Sequence, residues 1–280
     1  MTISMPRLLV IGLASLDSLH LPDRGPLEAA GGAGLYTALG MAAAGAEVDL
    51  FGPRLRLWPA PLGQAALRLS WLGPLVELAD LPRLEIAHHG GGRATLISAS
   101  WGGEAALDPA DLPGDLGRYD IVHIAALRSA ARQAAFASAC RARGCRALSI
   151  GTYGRIAQAE TATVRGLLAA ADYFFMNENE ARTVLGDIEP CDAIGNPGLA
   201  RRATFVTRAE RGAWAIAEGR ACHAPASTAF EVDPTGAGDA FCGTTLARIT
   251  LGDDACAAAR AGVIAAGRVI EQAGPAALLE

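Results

Sequence analysis

In the stretch VDPTGAGDAF, residues 232–241, two carboxylates, Asp233 and Asp239, bracket a turn of small residues, and an apolar run follows directly. A helix should begin here, because GAG does not continue one easily while AFCGTTLARI carries helical apolar spacing. The first turn of a helix leaves backbone N–H groups unpaired and carries partial positive charge, so it favours an anion. Phosphoryl transfer needs an attacking hydroxyl in line with the phosphorus, stabilisation of charge on the phosphoryl oxygens, and a carboxylate to take the hydroxyl proton. The bare amides of Gly236, Ala237 and Gly238 with Asp239 beside them would supply the last two. A helix cap beside a tight turn is the plainer use of the same acids, and this motif alone leaves both readings open.

A second polar pattern, Asn177-Glu178-Asn179-Glu180, follows the apolar run DYFFM. Residues three apart share a helical face, so Asn177 and Glu180 point together; Asn177 as an ordinary cap is again the alternative. The pair His88-His89 sits in a strand pattern, where neighbours face opposite sides, so the two do not chelate one ion. The chain contains no lysine. That excludes a lysine Schiff base and a P-loop lysine, and leaves arginine or a metal as the cation that aids catalysis. The GxGxxG dinucleotide fingerprint is absent after the first apolar run, LLVIGLASLD.

The elements that must hold these residues alternate. Short β-rich runs recur at LLVIGL, EVDLFG, DIVHIA, CRALSI, DYFFMN and TFVTRA, with Ala/Leu-rich segments of helical length between most of them. Strand alternating with helix predicts a parallel sheet covered on both faces. LEIAHHGGGRATLIS reads as a hairpin and a candidate lid, PRLRLWPAP at 53–61 as a loop, residues 62–72 as an amphipathic helix, and FVTRAERGAWAIAEGRACHAP as antiparallel strands. The chain should close on two consecutive helices. At 280 residues it can bury a large core, and no apolar run reaches membrane-spanning length. The amino end lacks a basic leader and reads as a first buried strand rather than a signal peptide. A net charge of −5 with scattered arginines gives no basic face for nucleic acid. The six cysteines lack paired CxxC spacing, and reduced thiols in a cytoplasm are the expectation.

VDPTGAGDAF together with MNENEA (176–181), VTRAERGAW (206–214), GLASLD and GGAGLYTALG resembles the PfkB, ribokinase-like family of sugar and nucleoside kinases, in order and spacing from about residue 7 to residue 274. The resemblance implies an α/β fold with a mainly parallel central sheet flanked by helices and a small β lid. The whole chain, 1–280, would be one kinase domain with lid elements near 13–30 and 84–102. Asp239 would be the general base, with the Gly236, Ala237, Gly238 and Asp239 amides as the anion hole. Asp233 would support the nucleotide and cation region, where Pro234 replaces the usual threonine. Asn177 and Glu180 would organise water-coordinated Mg²⁺. Thr207 and Gly212 would form the nucleotide-side turn, with Ala209 where glycine is usual. Asp17 would bind substrate hydroxyls, and Gly31 and Gly32 would let backbone approach the substrate. Tyr36 stands where many members carry asparagine, which favours a substrate other than ribose, and Arg93 on the hairpin would reach an anionic one.

The implied protein is a cytoplasmic kinase using ATP and Mg²⁺, with room for a monovalent cation. It would act on a hydroxyl of a sugar, nucleoside or related polyol, with no nucleic-acid or membrane partner, and a homodimer through the lid stays open. The rival from another class is a non-catalytic ligand-binding or regulatory protein on the same fold. Pro234, Ala209 and Tyr36 favour it, whereas the retained Asp239 and Glu180 oppose it.

Overall fold

The computed structural model describes residues 5–22, 25–91, 94–187 and 189–280. The chain opens with β1 (Arg7–Ile11), β2 (Ser15–His20), β3 (Leu27–Gly31), α1 (Ala33–Ala43), β4 (Glu47–Phe51), α2 (Ala60–Arg68) and β5 (Ser70–Leu72). A hairpin, β6 (Arg83–His88) and β7 (Ala94–Ser100), precedes β8 (Ile121–Ile124), α3 (Ala130–Ala142), β9 (Leu148–Gly151), α4 (Gly154–Ala159) and α5 (Thr161–Ala170). There follow β10 (Tyr173–Asn177), α6 (Glu178–Leu185), β11 (Ala203–Thr207), β12 (Ala213–Ala217), β13 (Arg220–Ala224), α7 (Ala237–Thr250) and α8 (Ala255–Ile270).

Nine strands form the main sheet in the order β13-β12-β11-β10-β9-β8-β1-β4-β5. From β11 to β5 every neighbour is parallel, and only β12 and β13 run antiparallel at one edge. Burial on both faces explains why β1 reads as an unbroken apolar run. Leu8 and Val10 enter one core with α1, α2, α7 and α8, while Leu9 and Ile11 enter the other with α3, α4, α5 and α6. The chain leaves β1 toward β4 on one side and later returns to β8 on the other. In open α/β sheets such a reversal opens a crevice at the carboxyl ends of the strands.

A second sheet, ordered β3-β2-β6-β7, contains the expected hairpin, and β2 and β6 in its middle are parallel. The helix expected over 62–72 instead spans Ala60–Arg68, and residues 70–72 form the outermost parallel strand. Leu69 is already extended, and Trp71 packs on Trp58 with ring centroids 4.2 Å apart, so tertiary packing overrides the helical pattern. The thiol expectation is corrected at one pair. Cys222 on β13 and Cys256 on α8 form a disulfide with Cα atoms 5.8 Å apart, because α8 lies against β12 and β13. Cys140, Cys145 and Cys242 are free and buried. Among the described residues no helix is long and apolar enough to cross a membrane.

Two helices meet unusually closely. A Cβ on Gly243 of α7 would lie 2.0 Å from the Thr37 carbonyl oxygen of α1, and one on Gly40 would lie 2.9 Å from the Ala240 carbonyl oxygen. Glycine at both contacts lets α1 and α7 touch backbone to backbone. On the sheet side, Phe241 packs edge-on against Phe175 and Phe205, at 6.0 and 6.2 Å, fixing the start of α7 over β10 and β11.

Candidate active site

At the carboxyl ends of β8, β9, β10 and β11 lies a cavity of about 340 Å³, with Asp239, Gly238, Glu180, Asn177 and Thr207 in its wall. The small sheet and its flanks contribute Leu84, Pro82 and Trp101 to the other side. The motifs at 176–181, 206–214 and 232–241, far apart in sequence, thus converge on one space.

Gly236 is the N-cap of α7 with φ 77°. A side chain there would be strained, and its Cβ would also fall 2.3 Å from the Tyr36 ring. The N–H groups of Gly238 and Asp239 have no protein acceptor among the described residues, whereas that of Ala237 donates to the Pro234 carbonyl at 3.3 Å. The free amides therefore lie beside Asp239 rather than along the whole GAG run. Burial and, to a lesser extent, the negative charge of Glu180 raise the Asp239 carboxyl from 3.8 to about 7.

Glu180 is buried and likewise raised, to about 7, by desolvation, against the opposing pull of hydrogen bonds from Asn177 and the Gly154 amide. Asn177 and Glu180 form a reciprocal capping box. Glu180 Oε2 accepts from the Asn177 backbone N–H at 2.8 Å and Oε1 from Asn177 Nδ2 at 2.7 Å, while Asn177 Oδ1 accepts from the Glu180 N–H at 3.0 Å. The capping and cavity-lining readings of this pair are therefore both realised. Among the described residues no group of three or more His, Cys, Asp or Glu side chains is arranged to hold a metal ion. The donor set fits a hydrated cation carried on phosphates, since Mg²⁺ keeps most of its waters, and not an ion caged by protein.

Thr207 ends β11 directly beside Asn177 in the parallel register and lines the cavity. Gly212 lies off the cavity at φ 80°, where a Cβ would meet the Ala224 carbonyl oxygen at 2.1 Å, so its role is to make the turn. Ala209 adopts φ 48°, the left-handed region that the usual glycine would occupy without strain. Asp233 is fully buried and away from the cavity. Its Oδ1 accepts the Thr235 N–H at 2.9 Å and lies 3.1 Å from His88 Nε2, and its Oδ2 accepts the Gly274 N–H at 2.9 Å. Pro234 costs this arrangement no donor, because the Thr235 and Gly274 amides serve the carboxylate.

On the substrate side, Gly32 lines the cavity as the N-cap of α1 at φ 98°. Asp17 lies beneath, 2% exposed, and takes the Leu84 N–H on Oδ1 at 3.2 Å. A Cβ on Gly31 would sit 1.9 Å from Asp17 Oδ2, so that glycine makes room for the acid. Burial raises Asp17 to about 6, and its place in the cavity wall is taken by Ser15, two residues earlier on the same strand face. Tyr36 is 1% exposed and packs behind Gly236, so it supports the turn instead of facing the cavity. Arg93 lies outside the described residues.

Several cavity residues carry no sequence signal of their own. His123 is buried, its Nδ1 is 2.9 Å from Ser149 Oγ, and desolvation pushes it down to about 3, so the ring stays neutral. Cys242 lies one helical turn beyond Asp239 with Sγ 3.8 Å from both ring nitrogens of His123. Thr152 presents a buried hydroxyl with no partner in the cavity wall. Only the topology, which stacks strand ends around one crevice, gathers them.

A helix start with two unpartnered amides beside a carboxylate of raised pKa, at the switch point of a mostly parallel sheet, is an arrangement suited to phosphoryl transfer. The model of the pfkB family carbohydrate kinases matches residues 81–280. A probable sugar kinase from Rhizobium etli CFN 42 is similar over 98% of this chain and 95% of its own at 20% identity, with a TM-score of 0.82. Adenosine kinase from Sinorhizobium meliloti is similar over 97% and 96% at 20% identity, with a TM-score of 0.81. A putative ribokinase II from E. coli, in complex with ATP and Mg²⁺, is similar over 97% and 94% at 16% identity, with a TM-score of 0.76. This chain belongs to the pfkB family of carbohydrate kinases. It is a phosphotransferase that acts on an alcohol group.

Proposed function

We propose that the protein transfers the γ-phosphoryl group of ATP to a hydroxyl of a sugar, nucleoside or related small polyol, with Asp239 as general base. The observation that carries this reading is the pairing of the unpartnered Gly238 and Asp239 amides with a carboxylate raised to about 7 in one cavity. A base whose pKa lies near the working pH is free to accept a proton and strong enough to take it. As the acceptor oxygen bonds to phosphorus, its proton passes to Asp239 and the bridging oxygen leaves with ADP. The helix-start amides offset the charge that accumulates on the equatorial phosphoryl oxygens.

Glu180 and Asn177 would hold the water shell of a nucleotide-bound Mg²⁺, which supplies charge neutralisation across the β- and γ-phosphates. Thr207 borders the nucleotide side. The orphaned Thr152 hydroxyl, Ser15 and the Gly32 backbone face the acceptor, where a polyol satisfies groups the protein leaves open. The small sheet is the lid. Its Leu84, with neighbouring Pro82 and Trp101, closes an apolar wall that excludes water and limits ATP hydrolysis. An ADP-release assay across sugars and nucleosides tests the activity. Acceptor-dependent turnover is expected for at least one of them, and no turnover with any would favour the non-catalytic rival.

A further inference from the structure

The buried carboxylate of Asp233 has one ion-pair partner among the described residues, and that partner arrives on the lid. His88 is the last residue of β6, with its side chain 2% exposed, and its Nε2 lies 3.1 Å from Asp233 Oδ1 and 3.1 Å from Thr235 Oγ1. The other ring nitrogen, Nδ1, is buried with no partner among the described residues, so the Nε2 side is the polar anchor the ring has there. Around this contact Leu19 and Leu21 from the β2 side and Ala29 of β3 form an apolar cluster against which Ile86, Val232 and Ala273 pack. Val232 and Ala273 directly precede the acid and the glycine that share the hydrogen bond. The cluster thereby shields from water a buried acid whose oxygens need protein donors.

Two backbone amides and the His88 imidazole take three of the roughly four acceptor positions of the Asp233 carboxylate, so the residues present fit a dissolved monovalent cation poorly at this carboxylate. We infer that His88 is a lid-borne hydrogen-bonding partner of Asp233 and a positioning residue for phosphoryl transfer. It fastens the lid to the turn that carries the anion-binding amides, and it completes that turn without a soluble cation. Thr235, whose N–H and hydroxyl both belong to this clasp, immediately precedes Gly236, so displacement of the clasp is felt at the Gly238 and Asp239 amides. The positioning role rests on the proposed kinase reading, whereas the clasp itself does not.

Hydrogen exchange on the full chain without ligand reads the clasp directly. His88→Ala should speed exchange in β6 and also in residues 233–238. His88→Gln places a side-chain amide donor near the imidazole Nε2 position and should keep both segments protected. Faster exchange confined to β6, with the turn unaffected, overturns the inference. Turnover is then measured with ATP and adenosine or ribose, whichever is phosphorylated, in potassium chloride and in choline chloride. The wild-type protein should give equal rates in both salts. His88→Ala should lose about 10²-fold in kcat in choline chloride, the scale of a small misplacement of catalytic groups, with KM for ATP within about threefold. Potassium chloride or added imidazole should restore at least tenfold, and His88→Gln should retain most of the rate. A wild-type requirement for potassium, or a His88→Ala variant that equals wild type or answers to neither additive, overturns it. Should His88→Ala fail to fold, the wild-type salt comparison and the exchange pattern of His88→Gln decide. Failure of the wild-type protein to phosphorylate any acceptor would count against the kinase reading, while the exchange pattern would still judge the clasp.

Discussion

Replacing Asp239 by Asn removes a charge without changing shape, and it should weaken catalysis while strengthening the fold. The carboxyl rises from 3.8 to about 7 through burial and the nearby charge of Glu180. Because the folded pKa lies above the unfolded one, the native state holds the proton more tightly. This group's favourable contribution is therefore present at low pH and is lost as pH climbs from about 4 through about 7. A rise of that width corresponds to roughly 4 kcal/mol of destabilisation above neutrality, at about 1.36 kcal/mol per pH unit. An amide, itself polar and buried, should recover about half of it. For a domain of this size that amounts to a Tm increase of roughly 4–8 °C at pH 8, shrinking toward zero at pH 5 where the wild-type acid is protonated. At pH 8 kcat should fall by roughly 10²–10⁴, as for loss of a general base, with nucleotide affinity nearly unchanged. Calorimetry at the two pH values and an ADP-release assay measure both halves. A variant with wild-type turnover, or a Tm gain independent of pH, would refute the assignment of Asp239 as the desolvated base.

Glu180→Gln should raise the Mg²⁺ concentration needed for half-maximal rate, because it removes the charge facing the hydrated cation and one acceptor of the capping box; an unchanged metal titration would remove Glu180 from the site. Gly236→Ala should cost about 2 kcal/mol or more from positive φ and collision with Tyr36, and should depress kcat further by shifting the amides. Trimming the ring in a Gly236→Ala/Tyr36→Leu double variant should return part of that stability in a thermodynamic cycle, and strict additivity would contradict the packing argument. Ala209→Gly should be neutral to about 1 kcal/mol stabilising, as relief of left-handed strain outweighs the added freedom of the unfolded chain; clear destabilisation in a urea melt would count against strain at Ala209.

The main sheet was legible because strands buried on both faces read as apolar runs between helical segments, as β1 and β10 do. The helix start at Gly236 was legible too, since Gly236 and Asp239 carry local rules of conformation and charge. What sequence could not supply was direction. Tyr36 and Asp17 sit beside cavity-lining residues, yet one turns behind Gly236 and the other is roofed by Gly31, both consequences of contacts made across the chain. β2 and β3 are mixed in character, so only the family resemblance, and not their own pattern, points to them as lid strands. Cys222 and Cys256 are separated by 34 residues and meet through the docking of α8. Strand geometry separates His88 from His89 but does not name a partner; that partner, Asp233, lies 145 positions away and only the closed fold shows it.

The backbone contact between α1 and α7 has a consequence for how such a protein diversifies. With glycines at both crossings, no larger side chain can be admitted between the two helices, so α1 and the cavity wall bearing Asp239 form one inflexible frame. Changes in the shape of the cavity are then most readily made in the small sheet and its connecting segments, where Leu84 and Trp101 meet it. Selection can rewrite that roof one residue at a time while the machinery below keeps its alignment.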